Sequence, residues 1–119
     1  MDEVFAVQVF PIAKPDEWRA FCDSIATGER AGAHRSMLRR LGVRREHLHH
    51  QATPAGDVMV LVWEGVSPDD LGRLMGDMIQ NPQSEHERYL TNHVIPNVHG
   101  VDPTAGPPPP VRKVATIES

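Results

Sequence analysis

Apolar residues run almost without a break through VFAVQVF, residues 4–10, and β-branched and aromatic side chains dominate the string. Such a run, ended by Pro11, predicts a strand buried on both faces or nearly so. The period then changes. Trp18, Phe21, Cys22 and Ile25 stand at i, i+3, i+4 and i+7, which is one face of a helix. Asp16 or Lys14 begins it, and Pro15 suits a first helical turn. Ala33, Met37, Leu38 and Leu41 continue such a face. Gly28 and Gly32 argue against one unbroken helix, and Gly42 is placed to end it. Residues 46–52 then read as a polar strand, TPAGD over 53–57 as a turn, and VMVLVWE over 58–64 as the strongest strand of the chain. Together they predict a hairpin with a loop of about five residues. Ser67 as N-cap and Pro68 at the first helical position open a helix whose apolar face is Leu71, Leu74, Met75, Met78 and Ile79. Asn81-Pro82 stops it. Ser84 caps a further short helix carrying Glu85, Tyr89, Leu90, His93 and Val94, which Pro96 ends. DPTAGPPPP, residues 102–110, is extended polyproline-like chain. VRKVATI, residues 111–117, alternates as a last strand would, or as an arm laid on a partner.

The order is β-α-β-β-α-(α)-β. It predicts an α+β fold of the ferredoxin-like βαββαβ kind, with an antiparallel sheet, an extra short helix and a proline-rich C-terminal tail. Helices cover one face of such a sheet. The other face stays bare, and a second protomer is expected to cover it, giving a homodimer. Residues 1–101 form the expected domain. Residues 102–119 form the tail, with its terminal strand or dimer arm.

Length and composition narrow the function. The chain has 119 residues, one domain's worth, and 39% hydrophobic residues give it a modest core. A net charge of −4 argues against a nucleic-acid footprint, although Arg35, Arg39, Arg40, Arg44 and Arg45 cluster. The lone Cys22 forms no intramolecular disulfide, which fits a reducing cytoplasm. MDEVFAVQVF carries acids where a signal peptide needs bases, and no stretch approaches the roughly 20 apolar residues of a membrane span. A cytoplasmic protein without a membrane partner is expected. There is no glycine-rich phosphate cradle, no GxSxG and no nucleotide fingerprint, so no flavin or nicotinamide site is expected.

The candidate chemistry rests on histidine, of which there are seven. On a strand, His47, His49 and Gln51 point one way, and Leu48, His50 and Ala52 the other. Two histidines at i and i+2 hold a metal only if a third ligand comes from elsewhere, such as Glu64, His86, His93 or His99. With no Cys pair and no HExxH, no metal is expected. The strand then lines a pocket or interface, with His49 as a candidate general base. His86, Tyr89 and His93 stack along one helix face, and Tyr89 with His93 forms a candidate proton-handling pair. In His99 with Asp102, the carboxylate is placed to fix the imidazole tautomer, or else to cap a turn. Glu64 continues an otherwise apolar row, where burial would raise its pKa and make it an acid or base. Trp18 and Trp63 offer flat apolar surface for a ligand, and Arg39 could hold an anionic group. Cys22, Met75 and Met78 read as packing.

Four local strings stand on this order: Trp18-x-x-Phe21 on the first helix, Thr53-Pro54-x-Gly56-Asp57 at the hairpin, Glu64 closing its second strand, and His99-Gly100-Val101-Asp102 before the proline-rich tail. With them the chain resembles the dimeric α/β-barrel superfamily over residues 4–102. That superfamily includes antibiotic-biosynthesis-monooxygenase-like and EthD-like proteins, and the strings look like an uncharacterised group of small actinobacterial-type members. The resemblance implies the fold and the homodimer. Members oxidise, cyclise, isomerise or dehalogenate small molecules, some bind haem, and others have no known activity, so architecture is shared more than a site. The expectation is a small-molecule tailoring enzyme of secondary metabolism without an organic cofactor. It would be a cyclase, isomerase or cofactor-free monooxygenase acting on a hydrophobic metabolite by His/Glu acid–base chemistry. The catalytic candidates are His49, Glu64, Tyr89, His93, His99 and Asp102, and the substrate-binding candidates are Trp18, Trp63 and Arg39. The alternatives are a metal- or haem-binding protein with histidine ligands, and a non-catalytic accessory module that docks a partner through its tail.

Overall fold

The computed structural model describes residues 4–106 and 108–119. Residues 1–3 of the expected domain and Pro107 of the polyproline-like run lie outside the described residues. The fold is α+β. Among the described residues it comprises strands β1 (Phe5–Ile12), β2 (Arg45–Thr53) and β3 (Gly56–Glu64) and helices α1 (Pro15–Ala26), α2 (Ala31–Leu41), α3 (Pro68–Gln80) and α4 (Glu85–Tyr89). The last runs straight into a π-helix, Leu90–Val98. The sheet is antiparallel in the order β1-β3-β2.

The strongest apolar string becomes the central strand, because only there are both strand edges paired. Met59, Leu61 and Trp63 point from β3 into the core, and Ala6, Phe10 and Ile12 do so from β1. The register pairs Trp63 with both Ala6 and Glu46, and Met59 with both Phe10 and His50. All helices lie on this side. β1 is covered on one face only, not on both as the string suggests, and Phe5 and Val9 remain 45% and 42% exposed. The strand also runs past Pro11 to Ile12, since an edge strand tolerates the missing N–H.

Helix boundaries follow the expected chemistry. The chain breaks between α1 and α2 at 27–30, and Gly42 ends α2 in the left-handed conformation, φ 79°. Ser67 accepts from the Asp70 N–H with Pro68 at N1. Ser84 accepts from the Glu87 N–H. The hairpin is tighter than expected. Thr53 pairs with Gly56, so the turn is Pro54-Ala55 alone. Ala55 N–H binds the Thr53 hydroxyl, which lets a short loop close without a positive φ at either turn residue.

Two expectations fail near the C-terminus. Pro96 does not stop the last helix but sits inside the π-helix. The wider turn relieves the clash between a proline ring and the carbonyl four residues back. The fourth strand is also absent among the described residues, where 111–119 carries no strand pairing. Val114 and Ile117 are 97% and 92% exposed, so the alternating string has no face to bury within its own chain.

Candidate functional site

An apolar cavity of about 90 Å³ lies between the helices and the covered face of the sheet. Trp63, Leu61, Met59 and Phe10 form much of its sheet side, and Trp18 lines it from α1. The tail crosses it through Val101, Pro103, Gly106 and Pro108, and the Gln8 amide donates to the Pro109 carbonyl at 3.0 Å. His34, Glu46, His99 and Asp102 are the titratable residues in its lining.

His99 follows directly on the π-helix. The Val98 carbonyl accepts from the Ala13 and Lys14 N–H groups, pinning this turn to the end of β1. Gly100, with φ 73°, passes close over Ala13 and sends the tail across the cavity. His99 is 6% exposed and packs on Phe10, ring centroids 5.7 Å apart. Its Nδ1–H donates to the Pro11 carbonyl at 2.8 Å. A carbonyl only accepts, so Nδ1 carries the proton and a neutral ring leaves Nε2 as a lone pair. Burial lowers its pKa below the ordinary histidine value, against the raising effect of the Pro11 bond. Nε2 has no protein partner among the described residues.

The opposite end of the lining holds a chain of hydrogen bonds. Arg30 donates to His86 Nδ1 at 3.3 Å. His86 Nε2 and His34 Nδ1 are 2.9 Å apart, and His34 Nε2 lies 2.8 Å from one Glu46 oxygen. Trp63 Nε1 donates to the other Glu46 oxygen at 2.7 Å. Arginine can only donate, which fixes every proton along the chain. Neutral His86 must hold its proton on Nε2 and donate to His34 Nδ1. His34 must then hold its own on Nε2 and donate to Glu46. Burial first, then His34 and Arg30, push His86 down to about 4, so it is neutral at pH 7. Arg30 itself lies over the Tyr89 ring, 3.7 Å from its centroid.

Of the sequence candidates, Trp18, Trp63 and His99 come together at the cavity, with Asp102 at its rim. Asp102 does not orient His99. It accepts from the Thr104 N–H and hydroxyl, capping a turn, and these bonds hold its carboxyl below the usual range. Glu64 sits on the bare face with His47 Nε2 at 2.6 Å and Arg44 and Arg45 alongside. The His47 hydrogen bond, assisted by Arg44 and opposed by burial, lowers its pKa, where the sequence argument expected a rise. His49 lies on the same bare face, opposite Val60, and is exposed. His93 pairs with Glu17 at 2.6 Å outside the cavity and stacks on Tyr89. Arg39 is on the exposed side of α2, near Ser36 at 3.4 Å. The Cys22 thiol is raised to about 11, chiefly by burial, as suits packing. No group of three or more His, Cys, Asp or Glu among the described residues is arranged to hold a metal ion. No helix among the described residues is long and apolar enough to cross a membrane.

Sequence reasoning missed Glu46, His34 and Arg30, and grouped His86 with Tyr89 and His93 where the structure joins it to His34 and Arg30. A signal existed for two of them. His34 stands three and seven residues before Met37 and Leu41, on the helical stripe that is buried in place of Ala33. Glu46 alternates with Leu48 and shares its inward face. A polar residue on an apolar stripe signals a buried partner.

No family model, curated protein or solved structure matches the chain. The three-stranded antiparallel sheet with four helices is compatible with a ferredoxin-like arrangement.

Proposed function

We propose that the protein is a small enzyme without an organic cofactor, acting on a hydrophobic metabolite in the cavity, with His99 as proton acceptor. The observation that carries this reading is the His99 ring: neutral, held by the Pro11 carbonyl, and left with an unshared Nε2 lone pair in an apolar lining. A neutral imidazole of this kind can take a proton from an acidic C–H or O–H and return it elsewhere. Isomerisation and cyclisation both begin with that step, as does a cofactor-free oxidation in which dioxygen is the oxidant. Trp18 and Trp63 provide the flat walls. The cavity is smaller than the roughly 150 Å³ that accommodates benzene, so on this reading substrate enters as the tail residues over it, Val101, Pro103, Gly106 and Pro108, move aside. In D2O, 2-tetralone, an apolar enolisable ketone, should gain deuterium in the presence of the protein, and His99→Gln should abolish that gain. No enhancement over buffer, or equal exchange by the variant, would defeat the reading.

The protein acts, on this reading, as a cytoplasmic homodimer closed over the bare sheet face. Val7, Val58, Val60 and Val62 form a half-buried row there beside exposed Phe5 and Val9. A central apolar patch with Glu64, Arg44 and Arg45 at one end is self-complementary across a two-fold axis, and a second copy is its natural occupant. The tail 111–119 is free to lie along the partner as an arm. Sedimentation equilibrium should give a dimer that Val9→Lys dissociates. A monomer at micromolar concentration would remove this part of the reading.

A further inference from the structure

The polar groups of the cavity share one property. Trp18 Nε1 donates to Met59 Sδ at 3.2 Å, and Trp63 Nε1 and His34 Nε2 both donate to Glu46. His99 Nδ1 donates to Pro11. Every side-chain N–H in the lining is therefore spent within the protein. What remains is acceptor capacity alone. His99 Nε2 has its lone pair. Each Glu46 oxygen has one protein donor and so keeps a second lone pair. Asp102 adds a further carboxylate at the rim. The direction is imposed from outside, because Arg30 sets the donor sense of His86 and His34 and so fixes Glu46 as an acceptor.

We propose that the cavity selects neutral or cationic apolar molecules carrying O–H or N–H donors at two separated ends, one for Glu46 and one for His99, and rejects anions. This rests on the reading of the cavity as a substrate site and names the substrate class. The spacing follows from the sheet. Glu46 stands opposite Trp63, and His99 packs on Phe10, which stands opposite Met59. Four residues of β3 separate the two rungs, roughly 13 Å along the strands, and Glu46 on β2 and Phe10 on β1 flank β3 roughly 10 Å apart across the sheet. A two-ring molecule with a donor at each tip is of the right length once side-chain reach is subtracted, and at about 90 Å³ the closed cavity admits it only when the tail residues over it move aside. An anion meets carboxylates with no free donor, and its desolvation is left uncompensated. A donorless isostere fits but leaves both acceptors unpaired.

The test uses the full chain and three probes, biphenyl-4,4′-diol, 4,4′-difluorobiphenyl and biphenyl-4,4′-dicarboxylate. Binding is read from the two indole N–H signals, which belong to Trp18 and Trp63. We expect the diol to bind at least about tenfold tighter than the difluoro compound, as loss of a donor to a buried acceptor implies, and the dicarboxylate not to bind. His99→Phe should lower the diol-to-difluoro ratio, leaving only the share that Glu46 provides. Glu46→Gln, which replaces one acceptor oxygen with a donor, should lower the ratio as well; either variant suffices if the other does not fold. Equal or tighter binding of the difluoro compound or the dicarboxylate to the native chain overturns the inference and leaves the cavity reading standing. Silence of both indole signals with all three probes removes the cavity reading as well.

Discussion

The two faces of the sheet carry similar residues and use them differently. Each has an apolar row from β3, a glutamate and at least one histidine. On the bare face, Glu64 is met by cations, Arg44 and Arg45, and by His47, whose side chain is 41% exposed. On the covered face, Glu46 is met by neutral donors, Trp63 and His34, and Arg30 is linked to it only through two imidazoles. The first arrangement neutralises a carboxylate where water can reach its partners. The second keeps one as a hydrogen-bond acceptor in an apolar setting. Residue type does not decide between a surface ion cluster and a site; the polarity of the partners and the access of water do.

The sharpest way to break the contrast is Trp63→Ala. It opens a cavity in the core and strips one donor from Glu46, and should cost about 3–5 kcal/mol in denaturant unfolding. Acid comes next. His86 binds a proton near pH 6.5 when unfolded but only near 4 when folded. Its contribution is therefore full above pH 6.5 and lost as pH falls toward 4, by roughly 3 kcal/mol. Burial gives His99 a shift of the same sign. The lowered carboxyls of Glu64 and Glu87 add their own loss below their ordinary value of 4.5. Urea unfolding at pH 7 and pH 5 should show the fall, and His86→Gln should flatten it over that interval. The smallest effect belongs to the bare face, where His49→Ala should change stability by no more than about 0.5 kcal/mol. A larger loss there would mean that the two faces are not distinct in this way.

Local signals were legible in the chain. The 18/21/22/25 stripe, the Ser67 and Ser84 caps and the Gly42 terminus depend on neighbours within one helical turn, and each forms where its residues stand. The last strand failed because the pairing of 111–117 needs an edge and a buried face, neither of which sequence alternation provides. Pro96 misled because the wider π turn changes the steric rule. Of the two roles open to Asp102, fixing the His99 tautomer or capping a turn, the structure shows the turn cap, and the partner of His99 is the Pro11 carbonyl. Asp102 is near in sequence, whereas the Pro11 carbonyl is near only after β1 and the π-helix are joined by Val98. The Arg30–His86–His34–Glu46 chain draws on the turn before α2, on α2 itself, on α4 and on β2, so no spacing within any single element reveals it.

The most direct measurement is the protonation of His99, by nitrogen-15 chemical shifts of its imidazole at pH 7 in the full chain. We expect a neutral ring with the proton on Nδ1 and a bare Nε2, titrating below the ordinary histidine value. A ring protonated on Nε2, or an imidazolium at neutral pH, would contradict the existence of a free base in the cavity.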